Sequence, residues 1–317
     1  MDTSSVVKVL LATYNGEKFL NEQLDSLFNQ TNNDWSLVVL DDGSTDNTLN
    51  ILSAVQDRYP ERVSLLKPPP SSSDNPLGAR DSFGFLLSAT EADYYYFCDQ
   101  DDRWRLDKID RMHQFMQELE SGFGHHTPLL IHTDLRVVDQ ALEVISGSFW
   151  HYQDLDPDQG AILHKLIVQN VVTGCAMMIN RALCDLALPI PHEAILHDWW
   201  LALVAAAFGK IGSITDPLVD YRQHGSNAVG AQGIGADYFM DRIRDPQGVQ
   251  LRLSAIQTQA AAFAQRFEDR LGQREYQIIK GFANLSQRGF LTRRFYLLKY
   301  GFRKNGLLRN LGLMRWI

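Results

Sequence analysis

Short apolar runs alternate with longer amphipathic stretches along the first 120 residues. Four runs predict strands, at residues 6–12, 35–40, 63–66 and 94–98. Between and after them, apolar residues recur at helical spacing, at residues 19–29, 45–59, 78–89 and 106–119. This alternation predicts βαβ units and an α/β fold with a mostly parallel central sheet flanked by helices.

Polar side chains follow three of these predicted strands. They are Thr13, Tyr14 and Asn15 after the first strand, Asp41 and Asp42 after the second, and Asp99, Asp101 and Asp102 after the fourth. In an open parallel sheet, ligands bind outside the carboxyl ends of the strands. The pattern therefore predicts that these side chains converge on one binding site.

The segment at residues 99–102 places three carboxylates within four residues. Such a cluster needs a compensating positive charge. Oxygen ligands predict Mg²⁺ or Mn²⁺, which in turn often binds a phosphate. For this segment alone, a solvated acidic turn is the alternative.

Beyond residue 128 the pattern is mixed. Four short strands are predicted, at residues 129–132, 176–179, 211–214 and 218–221. An apolar helix is predicted over 197–208, a glycine-rich loop over 225–235, and helices from 249 onward. We therefore predict a domain over residues 1–230 and a helical region over 231–317.

Charge is distributed unevenly along the 317 residues, whose net charge is −8. Residues 288–317 contain eight Lys and Arg residues and no Asp or Glu, which leaves 22 Lys and Arg against 38 Asp and Glu elsewhere. The acidic body argues against nucleic-acid binding. The basic, aromatic-rich tail predicts either contact with an anionic membrane surface or a helix packed on the protein or a partner.

Three cysteines at irregular spacing indicate neither a disulfide framework nor a zinc site. The first residues lack the pattern of a signal peptide, and no run of 18 apolar residues occurs. We expect a cytoplasmic protein, and, of the two alternatives for residues 288–317, membrane contact would place it peripherally at the inner face of the cell membrane.

Four segments, in this order and spacing, resemble the inverting family 2 glycosyltransferases of the GT-A fold. They are LATYNG at residues 11–16, LDDGSTD at 40–46, DQDDRW at 99–104 and HDWW at 197–200. The resemblance covers residues 6–228 and implies a nucleotide-sugar-dependent catalytic domain over residues 1–230.

The resemblance also implies roles for individual residues. Asp101 and His224 are the implied metal ligands. The implied nucleotide-sugar contacts are Thr13, Tyr14, Asn15, Asp41, Asp42, Arg80, Asp99 and Gly174, and Arg222 is a further candidate phosphate contact. Asp102 is expected to support the metal site or to start the following helix.

Asp198 matches the catalytic base of the family, which takes the proton of the acceptor hydroxyl. His197 either orients Asp198 or caps the helix. Trp199 and Trp200 are candidate acceptor contacts, and because they are adjacent we expect one to lie in the core.

The combination of the 99–104 and 197–200 segments looks most like the rhamnosyltransferase branch of the family. It implies dTDP-L-rhamnose as donor and a glycan or lipid-linked glycan of bacterial surface polysaccharide or lipopolysaccharide as acceptor. A UDP-hexose donor is the alternative. A non-catalytic sugar-nucleotide-binding module is the alternative of a different class.

Overall fold

The computed structural model describes residues 5–69, 76–225 and 245–317. It divides into two compact units. The first comprises Met1–Phe149, Val172–Ile190 and Leu196–Ala231, and the second comprises Trp150–Val171, Pro191–Ile195 and Gln232–Ile317. The domain boundary predicted near residue 230 stays a prediction, and the predicted glycine-rich loop lies outside the described residues except for Gly225.

A central sheet organises the first unit. Its nine described strands are Val7–Thr13 (β1), Ser36–Asp41 (β2), Val63–Leu66 (β3), Tyr94–Cys98 (β4), Arg103–Trp104 (β5), Leu129–Val138 (β6), Val144–Ser146 (β7), Met177–Asn180 (β8) and Lys210–Arg222 (β9). The strand order is β3-β2-β1-β4-β8-β6-β9-β5, with β7 paired to β6. Strands β3, β2, β1 and β4 are parallel neighbours, whereas β8 joins β4 and β6 in antiparallel pairing.

Helices of the first unit flank this sheet, and the helices of both units are numbered together in chain order. The described helices are Leu20–Phe28 (α1), Thr48–Arg58 (α2), Gly78–Ala89 (α3), Lys108–Phe123 (α4), Phe149–Tyr152 (α5), Pro157–Gly160 (α6), Leu163–Leu166 (α7), Arg181–Ala187 (α8), His197–Phe208 (α9), Pro246–Arg266 (α10), Gln273–Ala283 (α11), Phe290–Tyr300 (α12) and Leu307–Trp316 (α13). The predicted fold class is confirmed.

Both faces of β1, β2 and β4 are largely buried, which explains their mostly apolar sequences. Alternate residues of β1, β2 and β4 share one core cluster with the apolar faces of α1 and α4. On the opposite face, Phe97 of β4 packs edge-on against Phe83 of α3, with ring centroids 5.6 Å apart. Side chains therefore pack on both faces of these strands and fix the positions of the strand ends.

One sequence prediction in this unit is wrong. The two short strands expected at 211–214 and 218–221 form the single strand β9, which follows β6 in parallel. The pairing shifts register around Asp134, which lies opposite Pro217, so β9 continues past the proline that interrupts its apolar pattern. The end of β9 also pairs with β5, directly after the acidic segment.

The described part of the second unit is helical. Phe282 of α11 stacks on Phe302, with ring centroids 4.6 Å apart, and Leu297 and Leu313 are buried. Arg309 is also buried and donates hydrogen bonds to the backbone carbonyls of Gln153 and Asp154. The helices expected from residue 249 onward are present. In the described parts of the chain, no helix is both long and apolar enough to cross a bilayer.

Candidate active site

The carboxyl ends of β1, β2 and β4 bring the predicted polar segments together. Thr13 Oγ1 at the end of β1 donates to Asp41 Oδ1 at the end of β2, at 2.8 Å. The Gln100 side chain, just after β4, bonds both the backbone N–H and the carbonyl of Tyr14, each at 2.9 Å. Three segments that are distant in sequence therefore share one edge of the sheet.

The acidic segment is held between β4 and β5. Asp102 is fully buried, and its Oδ1 accepts a hydrogen bond from the Arg222 backbone N–H at 3.1 Å. Its Oδ2 is buried and has no hydrogen-bond partner among the described residues. The Cys175 thiol and the carboxylates of Asp99 and Asp102 lie within 4.8 Å of one another. These groups form a compact acidic cluster beneath the strand ends.

Burial and the repulsion between like charges destabilise the ionised carboxylates of this cluster. Burial, followed by the charges of Asp101 and Asp198, raises the pKa of Asp99 to about 7. Burial and the charges of Asp101 and Asp99 also raise the pKa of Asp102 above its ordinary range. One buried cation, Lys108, offsets part of this charge, and burial lowers its own pKa to about 8.

Asp101 and His224, the two residues expected to bind a metal, are in direct contact. His224 Nε2 lies 2.7 Å from Asp101 Oδ2, and their side chains are 9% and 16% exposed. β9 pairs with β5, which begins two residues after Asp101. This pairing brings His224, just beyond the end of β9, close to Asp101. The Phe19 ring supports His224 from the other side, at a centroid distance of 4.9 Å.

The donor set fits a hard divalent cation. It offers several carboxylate oxygens and one imidazole nitrogen, and such ligands suit Mg²⁺ or Mn²⁺. The buried, unpartnered Oδ2 of Asp102 and the raised pKa values of Asp99 and Asp102 indicate that Lys108 alone does not balance the charge. The side chains of Asp101 and His224 are partly exposed, whereas Cys175 is fully buried, and the metal-binding roles of Asp101 and His224 stay predictions.

Asp198 lies in the first turn of α9. A short turn at residues 174–176 connects its side chain to the acidic cluster. Its Oδ2 accepts a hydrogen bond from the Gly174 N–H at 3.0 Å. The next residue of the turn, Cys175, accepts a hydrogen bond from Lys108 Nζ at 2.7 Å through its backbone carbonyl. One turn therefore links the candidate base to the acidic cluster.

Gly174 is required at this position for space. A Cβ there would lie 2.9 Å from His197 Nε2 and 3.7 Å from Asp198 Oδ2. The absence of a side chain lets the backbone approach both residues closely, and the role of Gly174 as a nucleotide-sugar contact stays a prediction.

His197 neither orients Asp198 nor caps α9, so both expectations for it are corrected. Its ring packs between Phe83 and Phe97, at centroid distances of 4.3 and 5.3 Å. Neither ring nitrogen has a hydrogen-bond partner among the described residues, and burial lowers the pKa of His197 to about 3. His197 is a neutral core residue that supports the start of α9.

Replacing His197 by leucine should change how stability depends on pH. An unfolded histidine has a pKa of about 6.5, so between about pH 3 and 6.5 the unfolded chain binds a proton that folded His197 rejects. The free energy of unfolding then rises with pH by about 1.4 kcal/mol per unit from this residue. We expect His197→Leu to remove this part of the slope, as measured by denaturant unfolding between about pH 4.5 and 7.

His132, whose pKa burial lowers to about 4, supplies a second slope that this variant leaves in place. The matched control is His126→Leu, at an exposed position, which should retain the whole slope. An unchanged slope in His197→Leu would contradict the buried, neutral state of His197.

The two tryptophans of α9 have different environments. Trp200 is fully buried and its Nε1 donates to the Ala187 carbonyl at 3.0 Å. It is the core member of the pair and offers no surface to an acceptor. Trp199 is half-buried, and its role as an acceptor contact stays a prediction.

The expected nucleotide contacts are partly engaged in local structure. Asp41 accepts from the Ser44 N–H and hydroxyl, and Asn15 Oδ1 accepts from the Thr45 N–H at 2.8 Å. These bonds fix the turn after β2. Tyr14 is 46% exposed at the edge of the site.

Asp42 follows β2, and its side chain reaches the start of α3, where Arg80 lies. The Asp42 carboxylate accepts from the backbone N–H groups of Leu77 and Gly78, at 2.7 and 2.8 Å. Arg80 forms two 2.7 Å hydrogen bonds with the neighbouring Asp81. Their nucleotide-binding roles stay predictions.

Three residues that matter for the site geometry were missed or misjudged from sequence. Lys108 is the buried counter-charge, and Gln100 locks Tyr14 in place. Arg222, expected to contact phosphate, is buried instead, and its guanidinium binds the Asp101 carbonyl and the Glu22 carboxylate. The sequence indicated the burial of Arg222 and Lys108 only by placing a cationic residue next to an apolar strand or helix face.

Comparison with known proteins assigns a family to this arrangement. The family model described as "Glycosyl transferase family 2" matches residues 8–183. A dTDP-rhamnosyl transferase, RfbG of Shigella flexneri, is 30% identical over 70% of this chain and 74% of its own length. An uncharacterized glycosyltransferase of Nostoc sp. is 26% identical over 70% of this chain and 66% of its own length.

Solved structures share the fold. TarS of S. aureus, in complex with UDP-GlcNAc, superposes with a TM-score of 0.58 at 17% identity, over 89% of this chain and 73% of that one. The mannosyltransferase PcManGT of Pyrobaculum calidifontis, in complex with GDP-Man and Mn²⁺, gives 0.54 at 15% identity, over 95% and 76%. The family match covers more than half of the chain, and the chain therefore belongs to glycosyl transferase family 2.

Proposed function

We propose that this glycosyltransferase is an inverting, metal-dependent enzyme that transfers L-rhamnose from dTDP-L-rhamnose to a glycan acceptor. The observation that carries the catalytic part is the turn at residues 174–176. It ties the Asp198 carboxylate to the acidic cluster through Gly174 and Cys175. This link supports a catalytic base and a metal-binding cluster that act in one site.

Asp101 and His224 would hold the divalent ion, with Asp99 and Asp102 supplying further negative charge. When bound, such an ion stabilises the charge that develops on a nucleoside diphosphate leaving group. Lys108 keeps the carboxylates close together when they are ionised, since it is the buried cation beside them.

Asp198 would accept the proton of the acceptor hydroxyl as its oxygen attacks the anomeric carbon. The Gly174 N–H holds one carboxylate oxygen in place, and the aromatic packing of His197 fixes the start of the helix. Attack from the face opposite the nucleotide inverts the anomeric configuration, so one carboxylate base suffices.

The donor assignment is supported by the resemblance of the 99–104 and 197–200 segments to the rhamnosyltransferase branch. It is also supported by RfbG, whose name states a dTDP-rhamnosyl transferase and which shares 30% of aligned residues. The two structural neighbours are in complex with UDP-GlcNAc and GDP-Man, so a UDP-hexose is the competing donor. The proposed acceptor is a glycan, free or lipid-linked, of a bacterial surface polysaccharide.

The donor proposal is tested by nucleotide release from a panel of sugar nucleotides with Mn²⁺ or Mg²⁺. We expect dTDP release from dTDP-L-rhamnose to exceed the release of UDP from UDP-glucose, UDP-galactose and UDP-GlcNAc. Faster release from a UDP-sugar would reject rhamnose and keep glycosyl transfer. Nucleotide binding without release from any donor, even when bacterial glycans are added as acceptors, would favour a non-catalytic binding module.

A further inference from the structure

Exposed apolar side chains are concentrated in the last two helices. Of the 15 large apolar side chains that are exposed in the described residues, seven lie between residues 290 and 311. They are Phe290, Leu291, Phe295, Leu298, Leu307, Leu308 and Leu311, and we call them the C-terminal apolar face. Their exposure ranges from 53% to 79%. A surface of this kind usually marks a binding site for a protein or a membrane.

Helical spacing organises this face. Leu291, Phe295 and Leu298 recur on one side of α12 at intervals of four and three residues, while Tyr296 and Leu297 on the other side are buried. The same division holds in α13, where Leu307 and Leu311 are exposed one turn apart and Leu313 is buried.

The two helices are joined at one end. Arg294, the fifth residue of α12, donates to the carbonyl of Arg315 in the last turn of α13, at 3.2 Å. The inner sides of α12 and α13 therefore pack within their own unit, and their outer sides remain exposed.

The charge around this face has one sign. The segment 288–317 contains eight Lys and Arg residues and no Asp or Glu. The Arg309 guanidinium forms buried hydrogen bonds to backbone carbonyls. The side chains of Arg288, Lys299, Arg303 and Arg315 are exposed. Apolar side chains interleaved with outward cations are the pattern of helices that lie in a membrane interface.

A pocket of about 470 Å³ adds a second observation. Its lining includes three cations, Arg274, Arg288 and Lys299, together with Tyr296 and Tyr300, and no carboxylate. The Arg288 guanidinium lies over the Tyr296 ring, 4.7 Å from its centroid, which limits its motion. The Tyr296 hydroxyl already donates to the Ile278 carbonyl at 2.8 Å, so it is the cations of this pocket that can attract an anionic group.

We propose that the C-terminal apolar face docks on a membrane that contains anionic phospholipids. The apolar side chains enter the boundary between headgroups and acyl chains, and the cations contact the lipid charges. Nucleic acid is disfavoured as the occupant because the most exposed side chains of the face are Leu and Phe. The proposal does not depend on the donor sugar or on the metal.

The test is flotation of the full-length protein with vesicles of phosphatidylcholine, with and without phosphatidylglycerol. We expect binding only to the anionic vesicles, and loss of most of it when ionic strength rises from about 0.1 to about 1 M. Leu291→Ser, Phe295→Ser and Leu298→Ser combined should weaken partitioning at least about 100-fold. Arg288→Gln combined with Lys299→Gln should weaken it about 30-fold.

Matched controls come from exposed positions of the first unit. Val144→Ser with Ile145→Ser removes two exposed apolar side chains from β7, and Lys67→Gln removes an exposed cation. Both controls should leave vesicle binding unchanged. All variants should unfold at the same temperature and bind nucleotide like the unmodified protein, because the substituted side chains are exposed.

Three results would overturn the proposal. Equal binding to neutral vesicles would remove the anionic specificity, and wild-type binding by both sets of face variants would place the contact elsewhere. The third result is absence of vesicle binding together with a dimer, seen by light scattering, that the leucine and phenylalanine substitutions dissociate. That result would assign the face to a second copy of the chain.

Discussion

Replacing Asp198 by asparagine should lower kcat for glycosyl transfer by about 10² to 10⁴-fold, the usual contribution of a general base. Asparagine has the same shape, and its carbonyl oxygen can still accept the hydrogen bond from Gly174 N–H. The amide cannot take the acceptor proton. We therefore expect nucleotide affinity and thermal stability to stay close to those of the unmodified protein.

The control for this substitution is Asp185→Asn, which changes an exposed carboxylate at α8 in the same unit. It should retain full activity. Transfer by Asp198→Asn within a few-fold of the unmodified enzyme would reassign the base. Loss of nucleotide binding in this variant would indicate that Asp198 acts on the donor instead.

Removing either proposed metal ligand should have the second large effect. We expect Asp101→Ala and His224→Ala each to weaken Mn²⁺ affinity at least about 100-fold, since changes to residues that merely support a metal ligand already cost about 10- to 100-fold. Because the two side chains touch at 2.7 Å and would share one ion, the double variant should lose less than the product of the single losses. Titration calorimetry with Mn²⁺ measures all three.

The stability of Asp101→Ala separates a lost ligand from a damaged fold. Asp101 raises the pKa of both Asp99 and Asp102 through like-charge repulsion. Without divalent ions, this variant should therefore unfold at the same or a higher temperature. His126→Ala, at an exposed histidine, is the control for the His224 substitution. Unchanged Mn²⁺ affinity in both single variants would remove the metal site from Asp101 and His224.

The parallel half of the sheet was predictable because its signals are local. Strands β1, β2 and β4 are largely buried on both faces, so each appears in the sequence as a mostly apolar run. The polar residues that end these runs mark the carboxyl edge of the sheet. Topology then brings Thr13, Asp41 and Asp99 into one region, as expected.

Features that depend on distant partners were not predictable in this way. Strand β9 passes Pro217 because its pairing with β6 absorbs a register shift, which no local pattern indicates. Lys108 and Arg222 have charged side chains that normally lie in solvent. Here they are buried, because Cys175 and Glu22, far away in sequence, supply hydrogen-bond acceptors.

His197 shows the same limit within a motif. Its position before Asp198 suggested an orienting or capping role, but the ring environment comes from Phe83 in α3 and Phe97 in β4. The family motif correctly indicated which residues share a segment. The packing of helix on sheet decided what the histidine does.

Calorimetric titration of the unmodified protein with dTDP, in the presence and absence of Mn²⁺ or Mg²⁺, tests the central claim most directly. We expect dTDP to bind when the divalent ion is present and a chelator to abolish most of this binding. UDP and GDP serve as competitors and should bind more weakly. Failure of every nucleoside diphosphate to bind in the presence of metal would contradict the assignment of this site to a sugar-nucleotide donor.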